Sequence, residues 1–374
     1  MIITNAKKKV MFFLHSLGGG GAERTMINIM NNLDHKKFEV VLVLCTNKNN
    51  RYEKILNEKI KVNVLGIDRL RFAFFKLRKV IIKEEPDLLF STMNPNNIAL
   101  LISKIFSLVK IPVIIREANN RSASGKVTWL NKKVTRLLYN NFANKVVALS
   151  NGVKEDLINE FKIKPEKIEV IYNPVEVEKI KEMATQSIKD VSILNSEKTI
   201  ISVARLVEQK NYPLLLKAFK KVREKIKCKL LILGTGYLED ELKELSRELG
   251  IDKYIVFLGF KDNPYKYMQK SDLFVLSSNW EGFGHVIVEA MASGTPVIAT
   301  DCKSGPREII GNSEFGILTP VNNVNALAKE ISFLLKNEQE AQVYKEKGLE
   351  RAKKFTSNKI VKEYESLFLN LLKF

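Results

Sequence analysis

The chain holds 374 residues, more than one hydrophobic core usually serves, and 45% of them are apolar, so two ordinary globular domains are expected. Three scattered cysteines and no two Asp two positions apart exclude a disulfide framework, a zinc module and a short acidic chelating pair of that type. The net charge of +19 is concentrated in residues 1–175, with 30 Lys and Arg against 15 Asp and Glu (31 against 27 in the rest), which calls for an anionic partner: a membrane surface, nucleic acid or a phosphorylated substrate.

At the N-terminus, Lys7, Lys8 and Lys9 precede VMFFLHSL, a weak likeness to a signal peptide. His15 interrupts the apolar run and a glycine loop follows, so the stretch reads as a first buried strand. The further strands of the first half are FEVVLVLC, KVNVLGI, DLLFST, PVIIRE and KVVALS, with helices such as AERTMINIMNNL between them. The second half repeats the pattern with TIISVARL, KLLILG, YIVFLG, DLFVLSS, PVIAT and GILTP, separated by PLLLKAFKKVREKI and LEDELKELSRELG. Continuous apolar strands alternating with helices imply parallel sheets covered on both faces. The expected fold is therefore α/β with two doubly wound, Rossmann-like lobes.

The boundary falls in the polar stretch 173–198, where Asn173-Pro174 signals a turn, giving domains 1–175 and 176–356. A last helix, about 357–374, follows the second lobe and can return to the first. No window approaches the roughly 18 apolar residues of a membrane span; the best candidate, ALLISKIFSLVKIPVII, is cut by Lys104 and Lys110.

Ligands of open parallel sheets bind beyond the carboxyl ends of the strands, and four chemically suggestive stretches fall there. LGGGGAER, residues 17–24, offers close backbone approach and a helix N-terminus to a phosphate or diphosphate. It breaks the G-x-G-x-x-G spacing, because Gly18 and Gly20 are followed by Glu23 at the third place; the alternative is a tight strand-to-helix turn. In VARLVEQKNYP, Arg205 at a strand end and Lys210 before a helix can hold two phosphates, one as a fork and one as a point charge, and stabilise a developing leaving-group charge without a metal. The alternative is two solvated surface cations.

The third stretch is EGFGHVIVEAMASGTPVIATD, residues 281–301. Glu281 lies in a glycine loop and Glu289 about one turn inside the helix that follows, tilted back toward the loop. Two carboxylates so placed accept hydrogen bonds from paired sugar hydroxyls, while the amides of Phe283, Gly284, His285 and Val286 face a phosphate or sugar oxygen. Glu289 is flanked by apolar residues, where an idle acid would be costly. In DCKSGPREII, Ser304 and Gly305 can bring amides to the same ligand; Arg307 and Glu308 read equally well as surface charges.

Taken in order, GGGGAER, ARLVEQKN, EGFGHVIVEAM with GTPVIATD, and SGPREI resemble the retaining glycosyltransferases of the large two-lobed family 4 over nearly the whole chain. The resemblance implies the GT-B fold, two lobes facing a central cleft. It implies Glu289 on the ribose hydroxyls, Glu281 on the transferred sugar, Arg205 and Lys210 on the diphosphate, Gly20 and Gly21 approaching the donor, and backbone near Leu258 and Gly259 against the base. The expected co-substrate is a uridine diphosphate sugar, with no cofactor, and no metal is required because Arg205, Lys210 and helix amides do the ion's electrostatic work. Many relatives carry a histidine after the strand matching PVIIRE; here Ala118 stands at that place, with Arg116, Glu117 and Asn119 as substitutes. His15 follows a strand near the glycine loop, and His285 offers the ligand its backbone.

Residues 69–85, RLRFAFFKLRKVIIKEE, mix cations with Phe72, Phe74, Phe75 and Leu77, as a surface that binds an anionic bilayer does; the alternative is a helix with a buried Phe face. No nucleic-acid recognition module is present. The expectation is a cytoplasmic enzyme, peripheral on the inner face of the membrane, moving a hexose or N-acetylhexosamine to a lipid-linked oligosaccharide or surface polysaccharide. Rivals are a nucleotide-sugar epimerase of the same fold and a non-enzymatic nucleotide-sugar or polyanion binder.

Overall fold

The computed structural model describes residues 6–18, 20–48, 50–188 and 197–372. They form two compact units, Met1–Pro174 with Ser357–Phe374, and Val175–Thr356.

The first unit runs β1 (Lys8–Leu14), α1 (Gly21–Asn32), β2 (Phe38–Leu44), β3 (Lys61–Val64), α2 (Ala73–Glu84), β4 (Leu88–Thr92), α3 (Asn94–Ser107), β5 (Val113–Glu117), α4 (Trp129–Phe142), β6 (Lys145–Ala148), α5 (Asn151–Asn159) and β7 (Ile168–Val170). All its strands pair in parallel, in the order β3-β2-β1-β4-β5-β6-β7. The central strands are buried along most of their length, as their unbroken apolar runs require. The order reverses between β1 and β4, so the ligand crevice of this unit opens beyond those strand ends.

The second unit runs α6 (Val177–Ala184), β8 (Lys198–Val203), α7 (Tyr212–Arg223), β9 (Cys228–Leu233), α8 (Glu239–Glu248), β10 (Ile255–Gly259), α9 (Tyr265–Gln269), β11 (Leu273–Leu276), α10 (His285–Ala292), β12 (Val297–Thr300), α11 (Pro306–Ile310), β13 (Ile317–Thr319), α12 (Val324–Lys336) and α13 (Glu338–Ala352). Its parallel order is β10-β9-β8-β11-β12-β13, with the reversal between β8 and β11.

The chain ends in α14 (Ser357–Leu372), which returns to the first unit. Its Tyr364 and Phe368 enter the first core beside Phe12, Phe38 and Phe90, with ring centroids 5.6–6.5 Å apart. Edge-to-face aromatic packing of this kind adds about 0.5–1.5 kcal/mol per pair beyond the area it buries.

Two elements differ from the sequence reading. β7 is three residues at a sheet edge, too short for any hydrophobic period. The polar boundary stretch contains α6, where only Val177, Ile180 and Ala184 face inward among glutamates and lysines; part of that stretch, 189–196, lies outside the described residues.

Candidate functional site

The switch point of the second unit brings two of the four stretches together. The segment after β8 and the segment after β11 are joined by backbone and side chain alike. Asn279 N donates to Gln209 O at 2.8 Å, Gln209 Nε2 to Trp280 O at 2.8 Å, and Ser277 Oγ to Lys210 O at 2.8 Å. Asn211, in a left-handed conformation, caps α7 by accepting from Leu214 N and also donates to Asn279 Oδ1. This mesh fixes Lys210, whose Nζ lies 2.5 Å from Glu281 Oε1. Ser278 Oγ donates to the same oxygen at 2.7 Å. Both charges are largely buried, at 13% and 7% side-chain exposure, so each depends on the other for compensation. Arg205, by contrast, is exposed beyond β8.

Glu289 sits in the second turn of α10, buried against the unit, with the Tyr265 hydroxyl 3.5 Å from its Oε1. Gly284 opens that helix at φ 93°, a conformation side chains resist. His285 is the first helical residue, its ring edge-on to Phe283. The fourth stretch seats directly on this turn: Gly305 has φ 82°, and a Cβ there would lie 2.2 Å from the Phe283 carbonyl oxygen. Ser304 is likewise left-handed, at φ 69°. Arg307 pairs with Asp301 on the surface, while the Glu308 carbonyl accepts from Arg351 at 2.6 Å. Burial pushes the Cys302 thiol up to about 12, with the Glu281 carboxylate adding to the effect, so this cysteine stays a neutral packing group.

Leu258 and Gly259 end β10, where the Gly259 carbonyl accepts from Gly234 N at 2.8 Å. Gly234 and Gly236 escaped the sequence reading. A Cβ on either would stand about 2 Å from a carbonyl oxygen, 2.0 Å from Ala204 and 2.1 Å from Leu206, so the turn after β9 lies flush on the Arg205 loop. The G-x-G directly after an apolar strand was the available signal. Ser278, Gln209, Asn211 and Tyr265 were missed too; single polar residues, three beside the strand ends and Tyr265 at the start of α9, carry no spacing by which to find them.

In the first unit, Gly20 is the N-cap of α1 and Gly21 its first residue; no side chain caps the helix. Glu23 folds back so far that a Cβ on Gly20 would lie 2.4 Å from its Oε2. The three substitutes for the family histidine separate clearly. Arg116 is fully buried, donating to Thr92 Oγ1 at 2.9 Å and to Asn173. Glu117 is equally buried, accepting from the Tyr139 hydroxyl and lying 3.7 Å from Arg121; burial raises its carboxyl above the usual range. Asn119 is half-buried just past β5, and its Oδ1 has no hydrogen-bond partner among the described residues. His15, just past β1, also keeps an unpartnered Nδ1.

The second unit thus holds two buried acids on one loop-helix segment, with a buried ammonium against the first of them and tightly packed glycine turns beside it. Residues 19–179 match the model of Glycosyltransferase Family 4, and residues 184–351 that of Glycosyl transferases group 1. The chain is 35% identical over 367 residues to N-acetylgalactosamine-N,N'-diacetylbacillosaminyl-diphospho-undecaprenol 4-alpha-N-acetylgalactosaminyltransferase of Campylobacter jejuni, covering 95% of this chain and 98% of that one. It is 26% identical to a second C. jejuni enzyme, GalNAc-alpha-(1->4)-GalNAc-alpha-(1->3)-diNAcBac-PP-undecaprenol alpha-1,4-N-acetyl-D-galactosaminyltransferase, over 96% and 98% of the two chains. Among solved structures, Anabaena Alr3699/HepE in complex with UDP superposes with a TM-score of 0.82 at 21% identity, over 97% of this chain and 100% of that one. The chain therefore belongs to the family 4, group 1 glycosyltransferases and has their GT-B fold.

Proposed function

We propose that this glycosyltransferase transfers a hexose or N-acetylhexosamine from a UDP-sugar, with retention of configuration and without a metal, to a saccharide carried on a polyprenyl diphosphate. The observation that carries the reading is the Lys210–Ser278–Glu281 cluster on the loop that leads into Glu289. Glu289 binds the ribose hydroxyls and Glu281 the transferred sugar. Lys210 and Arg205 take the diphosphate and stabilise the charge that grows on it as the sugar leaves, the electrostatic task a divalent ion performs elsewhere. The amides of Phe283, Gly284, His285 and Val286 add to this, and the backbone of Leu258 and Gly259 meets the base. Glu281 is a poor nucleophile, because one of its oxygens accepts from both an ammonium and a hydroxyl; it positions the sugar instead.

The acceptor class is supported by the two C. jejuni relatives, whose names specify undecaprenol diphosphate-linked saccharides. No helix among the described residues is long and apolar enough to cross a membrane. Residues 69–85 suit a bilayer surface, for Phe72 and Phe75 are exposed at 56% and 65%, with the Arg71 guanidinium 4.9 Å from the Phe72 ring. The peripheral, cytoplasmic-face location follows from this reading.

The test is incubation with UDP-GalNAc and an undecaprenyl diphosphate-linked saccharide in EDTA, with the anomeric configuration of the product read by NMR. An α-linked product supports the proposal. Conversion of the donor to an epimer without acceptor, or a β-linked product, contradicts it.

A further inference from the structure

α4 is amphipathic in the inverted sense. At 100° per residue, Thr135, Leu138 and Tyr139 share one face and are buried, while Trp129, Leu130, Val134 and Leu137 share the opposite face and are exposed. Trp129 is 73% exposed and Leu137 60%. Large side chains placed outward on consecutive turns are costly to leave in water and mark an interaction surface. Basic residues predominate along this stretch: between Glu117 and Glu155 the chain has seven Lys and Arg and no acid, although Arg121 pairs with Glu117 and Lys132 with Glu160. Lys133 lies 5.8 Å from the Trp129 ring centroid, and Lys126 and Arg136 are also exposed.

We propose that the outward face of α4 is a second membrane-docking surface, which inserts Trp129, Leu130 and Leu137 at the headgroup boundary of an anionic bilayer while the lysines and Arg136 meet the lipid phosphates. The proposal rests on the reading above for the kind of partner, and uses different residues from 69–85. Charge complementarity selects this occupant. A second copy of the chain would set cation against cation, whereas an anionic leaflet neutralises them, and tryptophan with basic residues is the composition such helices use at interfaces. α3 packs against both α2 and α4, so the two surfaces belong to one helical layer of the first unit, and a bilayer can engage both.

The chain has two tryptophans, so Trp280→Phe leaves Trp129 as the sole reporter. With vesicles of phosphatidylglycerol and phosphatidylcholine, its emission should shift to the blue and be quenched by brominated lipid. Leu130→Ser with Leu137→Ser should weaken vesicle binding about tenfold, because affinity scales with the apolar area inserted, at unchanged thermal stability. Phe72→Ser with Phe75→Ser, tested separately, reports the 69–85 surface. Loss of binding in that variant alone, with no quenching of Trp129, would overturn the α4 proposal and leave the first surface standing. A dimer in solution that Leu137→Glu dissociates would overturn it too, by assigning the face to a second copy. Transfer to a soluble, short-chain acceptor should be unaffected by the α4 changes, so failure of this surface and failure of the sugar-transfer reading are separately visible.

Discussion

The Lys210 ammonium rests 2.5 Å from the Glu281 carboxylate, and the loop after β8 thereby closes onto the loop after β11 at the point where the sheet order reverses. The pair does two jobs. It compensates two buried charges, and under the proposed function it presents a cation and an anion side by side to a donor that carries both phosphate and hydroxyls. Removing one partner exposes the other's desolvation cost. Lys210→Ala should therefore destabilise the second unit by about 3 kcal/mol, the usual result of stranding a buried charge. Lys210→Met with Glu281→Gln should recover much of that stability and none of the activity. Urea unfolding of Lys210→Met, Glu281→Gln and the double variant measures the coupling; additive losses would show that the pair is not compensating.

Gly305 makes a second, purely steric prediction. Its positive φ and the 2.2 Å approach of any Cβ to the Phe283 carbonyl leave no room for a side chain. Gly305→Ala should cost about 2 kcal/mol or more and, by shifting the Phe283–Val286 amides, raise the KM for the donor. An alanine variant with normal stability and normal KM would refute the account of this turn.

Asn119 and Arg116 should behave in opposite ways. Arg116 is fully buried and bonded to Thr92 and Asn173, so Arg116→Ala should lower the melting temperature sharply. Asn119, with its unpartnered Oδ1, should tolerate Asn119→Ala with little change in stability while kcat/KM falls about tenfold, the loss of one well-placed hydrogen bond. Equal effects of the two on stability would remove Asn119 as the replacement for the family histidine.

Much of this was legible in advance, and what was not has identifiable causes. Long buried strands announce themselves by unbroken apolar runs, so β1, β2, β8 and β9 could be read directly. The return of α14 leaves no mark on the sequence beyond an apolar stripe, because which core it fills depends on contacts nearly the whole chain away. The acids Glu281 and Glu289 stood out because glycines and a helix start frame them. That Lys210 binds Glu281 itself was not legible, since the two are 71 residues apart and meet only at the switch point. Arg116 and Glu117 looked as available as Asn119; burial alone, a property of the fold, separates them.

The pH dependence of stability should carry the signature of Glu117. Burial raises its carboxyl above the ordinary 4.5, against the opposing pull of Arg121. Between 4.5 and the raised value, the folded protein holds a proton that the unfolded chain has released. Stability from this group is thus full below 4.5 and declines as pH rises through that window. Glu117→Gln, which keeps an acceptor for the Tyr139 hydroxyl, should flatten the decline and match or exceed the parent at neutral pH. Urea midpoints measured from acid to neutral pH decide it; an unchanged slope in the variant would assign the decline elsewhere.

Under the proposed function, Glu289 and its loop bind a UDP-sugar without a metal. The most direct measurement is calorimetric titration of UDP into the parent and into Glu289→Ala, each in EDTA. Saturable binding to the parent, unaffected by EDTA, is expected, with at least a tenfold loss in the variant, the scale of about 1.4 kcal/mol or more for hydrogen bonds to a charged group. Equal affinities in the two proteins, or binding to the parent only when a divalent metal is restored, would contradict it.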